Sequence, residues 1–122
     1  MKKVAFVCVH NSCRSQIAEA LCKVFRKDLE VYSAGIETKH KINQDAVRIM
    51  KEKYNTDMSN QYSKLLSDIP KCDIYVSMGC NVECPFIGKQ FDYNFGIEDP
   101  TGKSDEEFIK VIEEIKYKIN DL

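Results

Sequence analysis

The feature that most constrains the fold of this chain is a short apolar run that gives way to a helical pattern. Residues 3–9 read KVAFVCV and are nearly all apolar, which is typical of a β-strand covered on both faces, as in a parallel sheet. From Ser15 onward the apolar residues instead recur with a period near 3.6. The pattern predicts a strand that ends at Cys8 or Val9, followed by a helix that begins at about Ser15.

The rest of the chain repeats this alternation of strands and helices. Asn43 is a candidate N-cap for a helix whose inward face includes Ala46 and Met50. Ser104 and Glu107 have the spacing of a capping box in front of a last amphipathic helix. The other predicted elements are strands at residues 29–34, 73–78 and 90–95 and a short helix at residues 63–69 that ends at Pro70.

Strands that alternate with helices over short connections indicate βαβ units and a parallel sheet. We therefore expect an α/β fold, a three-layer sandwich with a four-stranded parallel sheet flanked by helices. No internal repeat or linker interrupts the pattern, so residues 1–122 are expected to form a single domain. Ligands of such folds bind beyond the carboxyl ends of the strands, which is where Cys8 lies.

Charge and hydropathy exclude several classes of partner. The chain has 18 Lys and Arg against 19 Asp and Glu, a formal net charge of −1, so no general field attracts nucleic acid or an anionic membrane. The first apolar run is too short for a signal-peptide core or a membrane span. We expect a cytoplasmic monomer, in which disulfides are rare unless they are catalytic or redox-sensing.

The loop between the first strand and the first helix is a candidate anion site. Its backbone amides stand at a helix N-terminus, where they can surround a tetrahedral oxyanion while Arg14 clamps it. The same surroundings favour a Cys8 thiolate, and the Ser15 hydroxyl could donate to it. The alternative is that Cys8 is a small buried residue at a strand end. The predicted oxyanion-binding residues are Val9, His10, Asn11, Ser12, Cys13, Arg14 and Ser15.

Residues 6–20, FVCVHNSCRSQIAEA, resemble the phosphate-loop signature of the low-molecular-weight tyrosine phosphatase superfamily. Within it, the chain is most similar to the thioredoxin-coupled arsenate reductases. The similarity continues in YSAGIET at residues 32–38, MSN at 58–60, MGC at 78–80, Cys84-Pro85 and DPTGK at 99–103. The resemblance implies the low-molecular-weight phosphatase-like fold, also called the phosphotyrosine phosphatase I fold.

The resemblance also implies a function, the reduction of arsenate to arsenite in arsenic detoxification. Cys8 would attack the oxyanion, Asp99 would act as general acid, and Cys80 and then Cys84 would carry the resulting disulfide outward. Thioredoxin, an external thiol reductant, would regenerate the enzyme, and no cofactor is expected. Asp99 could alternatively be an ordinary turn residue, and the cysteine pair could be structural.

A low-molecular-weight protein tyrosine phosphatase is the first alternative function. Phosphatases of this superfamily carry aromatic residues after the Asp-Pro pair, whereas this chain has Thr101 and Gly102. A second alternative is a zinc-binding module that uses Cys8, Cys13, Cys80 and Cys84. Its Cys-x4-Cys and Cys-x3-Cys spacings differ from the usual zinc knuckle, so no metal site is predicted. The remaining cysteines, Cys13, Cys22 and Cys72, are expected to be bystanders.

Some reductases of this superfamily hold a potassium ion that supports the loop. The matching positions here are Asn11, Glu19 and Ser33, but Lys64 replaces the fourth, acidic ligand. We expect the Lys64 ammonium to take the place of the cation, pairing Glu19 and bracing Asn11, because both present one positive charge to oxygen atoms. The alternative is a solvated lysine on a helix face.

Overall fold

A computed structural model describes residues 1–38, 41–79 and 91–122. The strands are β1 (Lys2–Val7), β2 (Leu29–Ala34), β3 (Ile74–Ser77) and β4 (Tyr93–Asn94). The α-helices are α1 (Arg14–Phe25), α2 (Gln44–Tyr54) and α3 (Asp105–Lys118). Single 3-10 turns lie at Leu66–Asp68 and Ile119–Asp121.

The four strands form one parallel sheet in the order β2-β1-β3-β4. The apolar run at the start of the chain is therefore an interior strand, with Val4 of β1 paired to Val31 of β2 and to Ile74 of β3. A strand in this position is covered on both faces, which is why its sequence shows no polar alternation. The predicted α/β fold with a four-stranded parallel sheet is confirmed.

The two faces of β1 enter two separate apolar clusters. Val4 and Phe6 belong to the larger one, which they share with buried residues of α1, α2 and α3 such as Ile112. Ala5 and Val7 face the other side, where Cys72 and partly buried residues such as Leu66 and Ile69 pack against them. Three layers result: the helices, the sheet, and the segment around the first 3-10 turn.

Local sequence signals place the helix starts correctly. The Asn43 side chain accepts a hydrogen bond from the Ala46 amide at 3.0 Å, and the Ser104 hydroxyl accepts one from the Glu107 amide at 3.3 Å. Each cap satisfies one of the unpaired amides in a first helical turn. Within the described parts of the chain, no helix has both the length and the apolar character needed to cross a membrane.

Several elements differ from the sequence expectation, and β3 is shorter than predicted, Ile74–Ser77 instead of residues 73–78. β1 ends at Val7, although the Cys8 amide still donates to the carbonyl of Ala34 at 3.2 Å. The strand stops there because the chain then turns into the loop that leads to α1. The predicted helix at residues 63–69 is only a 3-10 turn, in which the Asp68 carboxylate accepts from the Leu65 amide. The fourth strand, expected at residues 90–95, is only Tyr93–Asn94 in the described residues 91–122.

We predict that Ile112→Ala lowers the free energy of unfolding by about 2–5 kcal/mol, because it leaves a cavity among fully buried side chains. Chemical denaturation measures the change. The matched control on the same helix is Lys110→Ala, whose exposed side chain should change stability by less than about 0.5 kcal/mol. Equal effects of the two substitutions would contradict this packing of α3.

Candidate functional site

The loop between β1 and α1 encloses a small cavity at the carboxyl edge of the sheet. The cavity measures about 40 Å³. Its lining residues are Cys8, Val9, His10, Ser12, Cys13, Arg14 and Asp99. The fold thus brings Asp99 next to Arg14, although the two residues are 85 positions apart in the sequence. A larger cavity of about 370 Å³, between α2 and residues 58–63, contains none of the predicted catalytic residues.

The sulfur of Cys8 lies 2.8 Å from the hydroxyl oxygen of Ser15. The Asn11 side-chain nitrogen donates to that same oxygen, also at 2.8 Å. An amide nitrogen can only donate, so the Ser15 oxygen accepts from Asn11 and its own hydrogen is available for the Cys8 sulfur. The arrangement therefore places a hydroxyl group where it can donate to a Cys8 thiolate, which has no proton of its own to give.

Asn11 is fully buried, and its side chain supports the loop through hydrogen bonds. Its side-chain oxygen accepts from the Lys64 amide at 3.0 Å and from the Gln16 side chain at 2.9 Å, which leaves its nitrogen to face Ser15. Its φ of 50° is a left-handed conformation that Asn adopts more readily than most residues. One side chain thus joins the loop, the start of α1 and the segment at Lys64.

Gly35, at the end of β2, lets the chain pass close to the loop. The carbonyl of Val9 accepts from the amides of Ile36 and Glu37, each at 3.0 Å. A Cβ atom on Gly35 would lie 2.6 Å from that carbonyl oxygen and 3.0 Å from the Asn11 nitrogen, both of them backbone atoms. Only glycine allows this approach, so Gly35 supports the loop although it contributes no side chain.

Arg14 is anchored at the side of the cavity. Its Nη1 donates to the carbonyl oxygen of Ile97 at 2.7 Å. A Cβ atom on Gly79 would lie 2.9 Å from that nitrogen and 2.7 Å from the same carbonyl oxygen. A side chain at position 79 would therefore block the hydrogen bond between the Arg14 guanidinium and Ile97, two residues before Asp99.

A buried ionic cluster lies on the far side of the loop. The Glu19 carboxylate accepts from Ser33 at 2.6 Å, from Lys23 at 2.9 Å and from the Lys64 ammonium at 3.3 Å. The Lys64 ammonium also reaches the Ser33 hydroxyl at 3.2 Å and the Tyr62 carbonyl at 3.4 Å. The side chains of Lys64 and Glu19 are only 11% and 6% exposed.

Burial by itself would raise the pKa of the Glu19 carboxyl. The hydrogen bonds from Ser33 and Lys23 and the charges of Lys64 and Lys23 outweigh that effect and hold the pKa below its usual value. Glu19 is thus ionised at neutral pH, and its charge is matched by two ammonium groups. The Lys64 ammonium therefore lies in an ion-pair cluster, while its backbone amide, not its ammonium, contacts Asn11.

Burial raises the thiol pKa of three of the cysteines and so disfavours their reactive thiolate form. It raises the pKa of the Cys13 thiol to about 12, with a further contribution from the Asp99 charge. Burial likewise raises the pKa of Cys22 to about 12 and that of Cys72 to about 11. These thiols stay protonated at neutral pH, and a protonated thiol is a poor nucleophile. Cys80 and Cys84 lie outside the described residues.

Several site residues escape sequence reasoning. The buried side chain of Gln16 donates to the Asn11 carbonyl and side-chain oxygens and to the Tyr62 carbonyl, yet its position in a helix resembles that of any surface glutamine. Glu37 lies 2.9 Å from the His10 ring nitrogen, across 27 positions of sequence. Within the described residues no group of three or more His, Cys, Asp or Glu is placed to hold a metal ion.

The lowered pKa of Glu19 predicts an acid-dependent contribution to stability. A carboxyl whose folded pKa is depressed stabilises the fold above its unfolded value, here 4.5, and loses that contribution as the pH falls through the folded value. We expect the stability difference between wild type and Glu19→Gln to be constant from neutral pH down to about 5 and to shrink below 4.5. Urea denaturation across pH measures it. The exposed control, Glu114→Gln, should show no such trend, and a trend equal to that of Glu19→Gln would contradict the assignment.

Comparison with known proteins finds similar sequences that extend over nearly the whole chain. A family model described as low molecular weight phosphotyrosine protein phosphatase matches residues 3–122. The arsenate reductase of Staphylococcus xylosus is 39% identical over 127 aligned residues, which cover 97% of this chain and 93% of that protein. The arsenate reductase of Staphylococcus aureus strain Newman is 40% identical over 124 aligned residues, with the same coverage of 97% and 93%.

Solved structures show the same relationship. A structure described as an arsenate reductase in the phosphate binding state superposes with a TM-score of 0.85 at 33% identity, over 99% of this chain and 95% of that one. The family model, the aligned relatives and the shared fold all extend over nearly the whole sequence. The chain therefore belongs to the low molecular weight phosphotyrosine protein phosphatase family.

Proposed function

We propose that this protein reduces arsenate to arsenite, with Cys8 as the nucleophile. The observation that carries the proposal is the Cys8 sulfur, 2.8 Å from the Ser15 hydroxyl, in a cavity bounded by Arg14 and Asp99 at a helix N-terminus. Such a cavity can hold a tetrahedral oxyanion against a thiolate. Relatives about 40% identical over 97% of the chain are named arsenate reductases, which favours arsenate as the substrate.

In the first step the Cys8 thiolate attacks arsenic(V) and forms a sulfur–arsenic bond. The amides of the loop and the Arg14 guanidinium stabilise the charge on the arsenate oxygens. One arsenic–oxygen bond breaks, and Asp99 protonates the departing oxygen so that it leaves as water. Arsenic keeps its oxidation state in this step, because the thiolate has only replaced an oxygen ligand.

Reduction occurs in the second step. The Cys80 thiolate attacks the Cys8 sulfur, the sulfur–arsenic bond breaks, and its electron pair stays on arsenic, which leaves as arsenite. Cys84 then attacks Cys80, so that Cys8 returns as a thiolate and the disulfide joins Cys80 to Cys84. A dithiol reductant, for which we propose thioredoxin, reduces this disulfide. The sum is arsenate and a dithiol converted to arsenite, a disulfide and water.

The lining of the cavity favours the reductase over a phosphotyrosine phosphatase. A phosphotyrosine phosphatase has to hold an aromatic ring beside the phosphate. Among the described residues, no Phe, Tyr or Trp lines the cavity, and the residues after the Asp99-Pro100 pair are Thr101 and Gly102. The Cys80 and Cys84 pair supports the same choice, since phosphate ester hydrolysis consumes no electrons.

We also propose that Lys64 acts as a built-in cation where some relatives bind potassium. Its ammonium nitrogen lies 3.2–3.4 Å from the oxygens of Ser33, Glu19 and Tyr62. A potassium ion does not fit in a position that an ammonium already occupies with the same oxygen partners. Glu19 is ion-paired to Lys64 and Lys23, so its charge needs no further cation.

The cysteine relay predicts a clear pattern in arsenate-dependent NADPH consumption with thioredoxin and thioredoxin reductase. Cys8→Ser, Cys80→Ser and Cys84→Ser should each lower steady-state turnover by at least about a hundredfold, because each breaks one thiol transfer. Cys72→Ser is the control, since that buried thiol lies on the second apolar cluster and should keep its turnover. If Cys80→Ser and Cys84→Ser kept full turnover, the relay would be wrong, whereas a wild type that consumed no NADPH with arsenate would favour the phosphatase function.

The built-in cation predicts that potassium does not stimulate the wild-type enzyme. At matched ionic strength, turnover in potassium chloride and in sodium chloride should agree within error. Lys64→Asp removes the ammonium and adds carboxylate oxygens beside Glu19, so this variant should lose turnover in sodium and recover part of it in potassium. Potassium stimulation of the wild type would refute the proposal.

A further inference from the structure

We propose that Thr101 and Asn43 are positioning residues that hold the Asp99 carboxyl over the oxyanion loop. The inference rests on the proposed function, in which Asp99 is the general acid of the first step. It goes further by assigning what orients that acid. The residues form a chain of hydrogen bonds from the loop, through Asn43 and Thr101, to Asp99.

Asp99 needs such support because it is exposed. Packing alone does not select one rotamer for an exposed aspartate. Thr101 provides two donors to the same oxygen: its backbone amide reaches Oδ1 of Asp99 at 3.1 Å, and its hydroxyl reaches Oδ1 at 2.7 Å. The backbone amide bond is available to any residue but proline, whereas the hydroxyl bond requires Thr or Ser.

The partners of Thr101 determine which way its hydroxyl hydrogen points. The Asn43 side-chain nitrogen approaches the Thr101 hydroxyl oxygen at 3.3 Å. The other Asn43 side-chain atom is identified as oxygen because it accepts the Ala46 amide at 3.0 Å. Asn43 therefore donates to Thr101, and the hydroxyl hydrogen is directed to Asp99.

Asn43 in turn is tied to the loop through its backbone. Its amide donates to the carbonyl oxygen of Ser12 at 2.6 Å, and its side chain caps α2. The acid and the residues that surround the oxyanion are thus connected by directed hydrogen bonds. This connection limits the movement of Asp99 relative to the atom it must protonate, and a displacement of about 1 Å is enough to slow a reaction markedly.

The pair of donors also affects where the transferred proton resides. Protonation at Oδ1 would require the Thr101 hydroxyl or amide to give up its bond. Thr101 therefore disfavours a proton on Oδ1 of Asp99. Because Thr101 acts through Asp99 and lies outside the cavity lining, its loss should slow proton transfer without weakening oxyanion binding.

The test measures the first turnover alone. Reduced enzyme is mixed with arsenate in the absence of any reductant, and the loss of free thiols is followed in time across arsenate concentrations. Thr101→Val keeps the shape and the backbone amide but removes the hydroxyl. We expect its maximal rate to fall about tenfold to a hundredfold, with the half-saturating arsenate concentration unchanged. Thr101→Ser should restore most of the rate.

Asn43 is tested with two variants that both keep the helix cap. Asn43→Asp places a second acceptor beside the Thr101 hydroxyl and competes for its hydrogen, so the maximal rate should fall as in Thr101→Val. Asn43→Ser removes the donor without adding a competitor and should lose less. Thermal unfolding of each variant should stay close to the wild type.

The outcomes separate this inference from the proposed function. If the wild type shows no arsenate-dependent loss of thiols, both are wrong. If the wild type reacts and Asp99→Asn is slow while Thr101→Val keeps the full rate, only the positioning role is wrong. A Thr101→Val variant that needs more arsenate but reaches the wild-type maximal rate would also overturn it, because Thr101 would then support the binding loop and not the acid.

Discussion

The candidate site depends on one buried amide side chain, that of Asn11. Its oxygen accepts from Gln16 and from the backbone of Lys64, and its nitrogen donates to the Ser15 hydroxyl. Because the Asn11 oxygen is already occupied by donors, its nitrogen faces the Ser15 oxygen, and the Ser15 hydrogen is left available for the Cys8 sulfur 2.8 Å away. Removing this amide would leave several buried polar groups without partners, each at a cost of about 1–3 kcal/mol.

Anion binding in this protein is a local property. The formal net charge is −1, so the surface as a whole offers no attraction for an oxyanion. The positive end of α1, the loop amides and Arg14 instead concentrate donors at one small cavity. Lys64 and Lys23 do not face that cavity, because the buried Glu19 carboxylate binds both of them. Their charges support the loop, and Arg14 remains the basic side chain in the cavity lining.

The fate of each described cysteine follows from its surroundings. Cys13, Cys22 and Cys72 are surrounded by apolar groups or by a carboxylate, which disfavours a thiolate. Cys8 is buried to a similar degree but faces a hydroxyl donor in a cavity lined by an arginine. Burial is therefore common to all four of these cysteines, and Cys8 shares its cavity with Cys13. What the structure adds at Cys8 is the Ser15 hydroxyl oxygen, 2.8 Å from its sulfur.

Much of the fold can be predicted from the sequence, because the patterns that indicate its strands and helices involve residues close together in the chain. The unbroken apolar run of β1, the 3.6-residue period of α1 and the caps at Asn43 and Ser104 each involve residues a few positions apart. The identity of the loop, with Cys8, Arg14 and Ser15, is local as well. The lengths of the short elements were predicted less well, because the 3-10 turn at Leu66–Asp68 depends on the Asp68 carboxylate and on packing under the sheet.

Residue order alone is enough to predict the α/β architecture, the strand–loop–helix that carries Cys8 and the family resemblance. The contacts of that loop with distant residues become visible in the folded protein: Lys64 beside Glu19, Gly35 against Val9, and Thr101 between Asn43 and Asp99. The difference lies in the range of the interactions. Periodicity and capping act within a few residues, whereas hydrogen bonds between distant segments form only after the sheet order and the packing of the helices have brought those segments together.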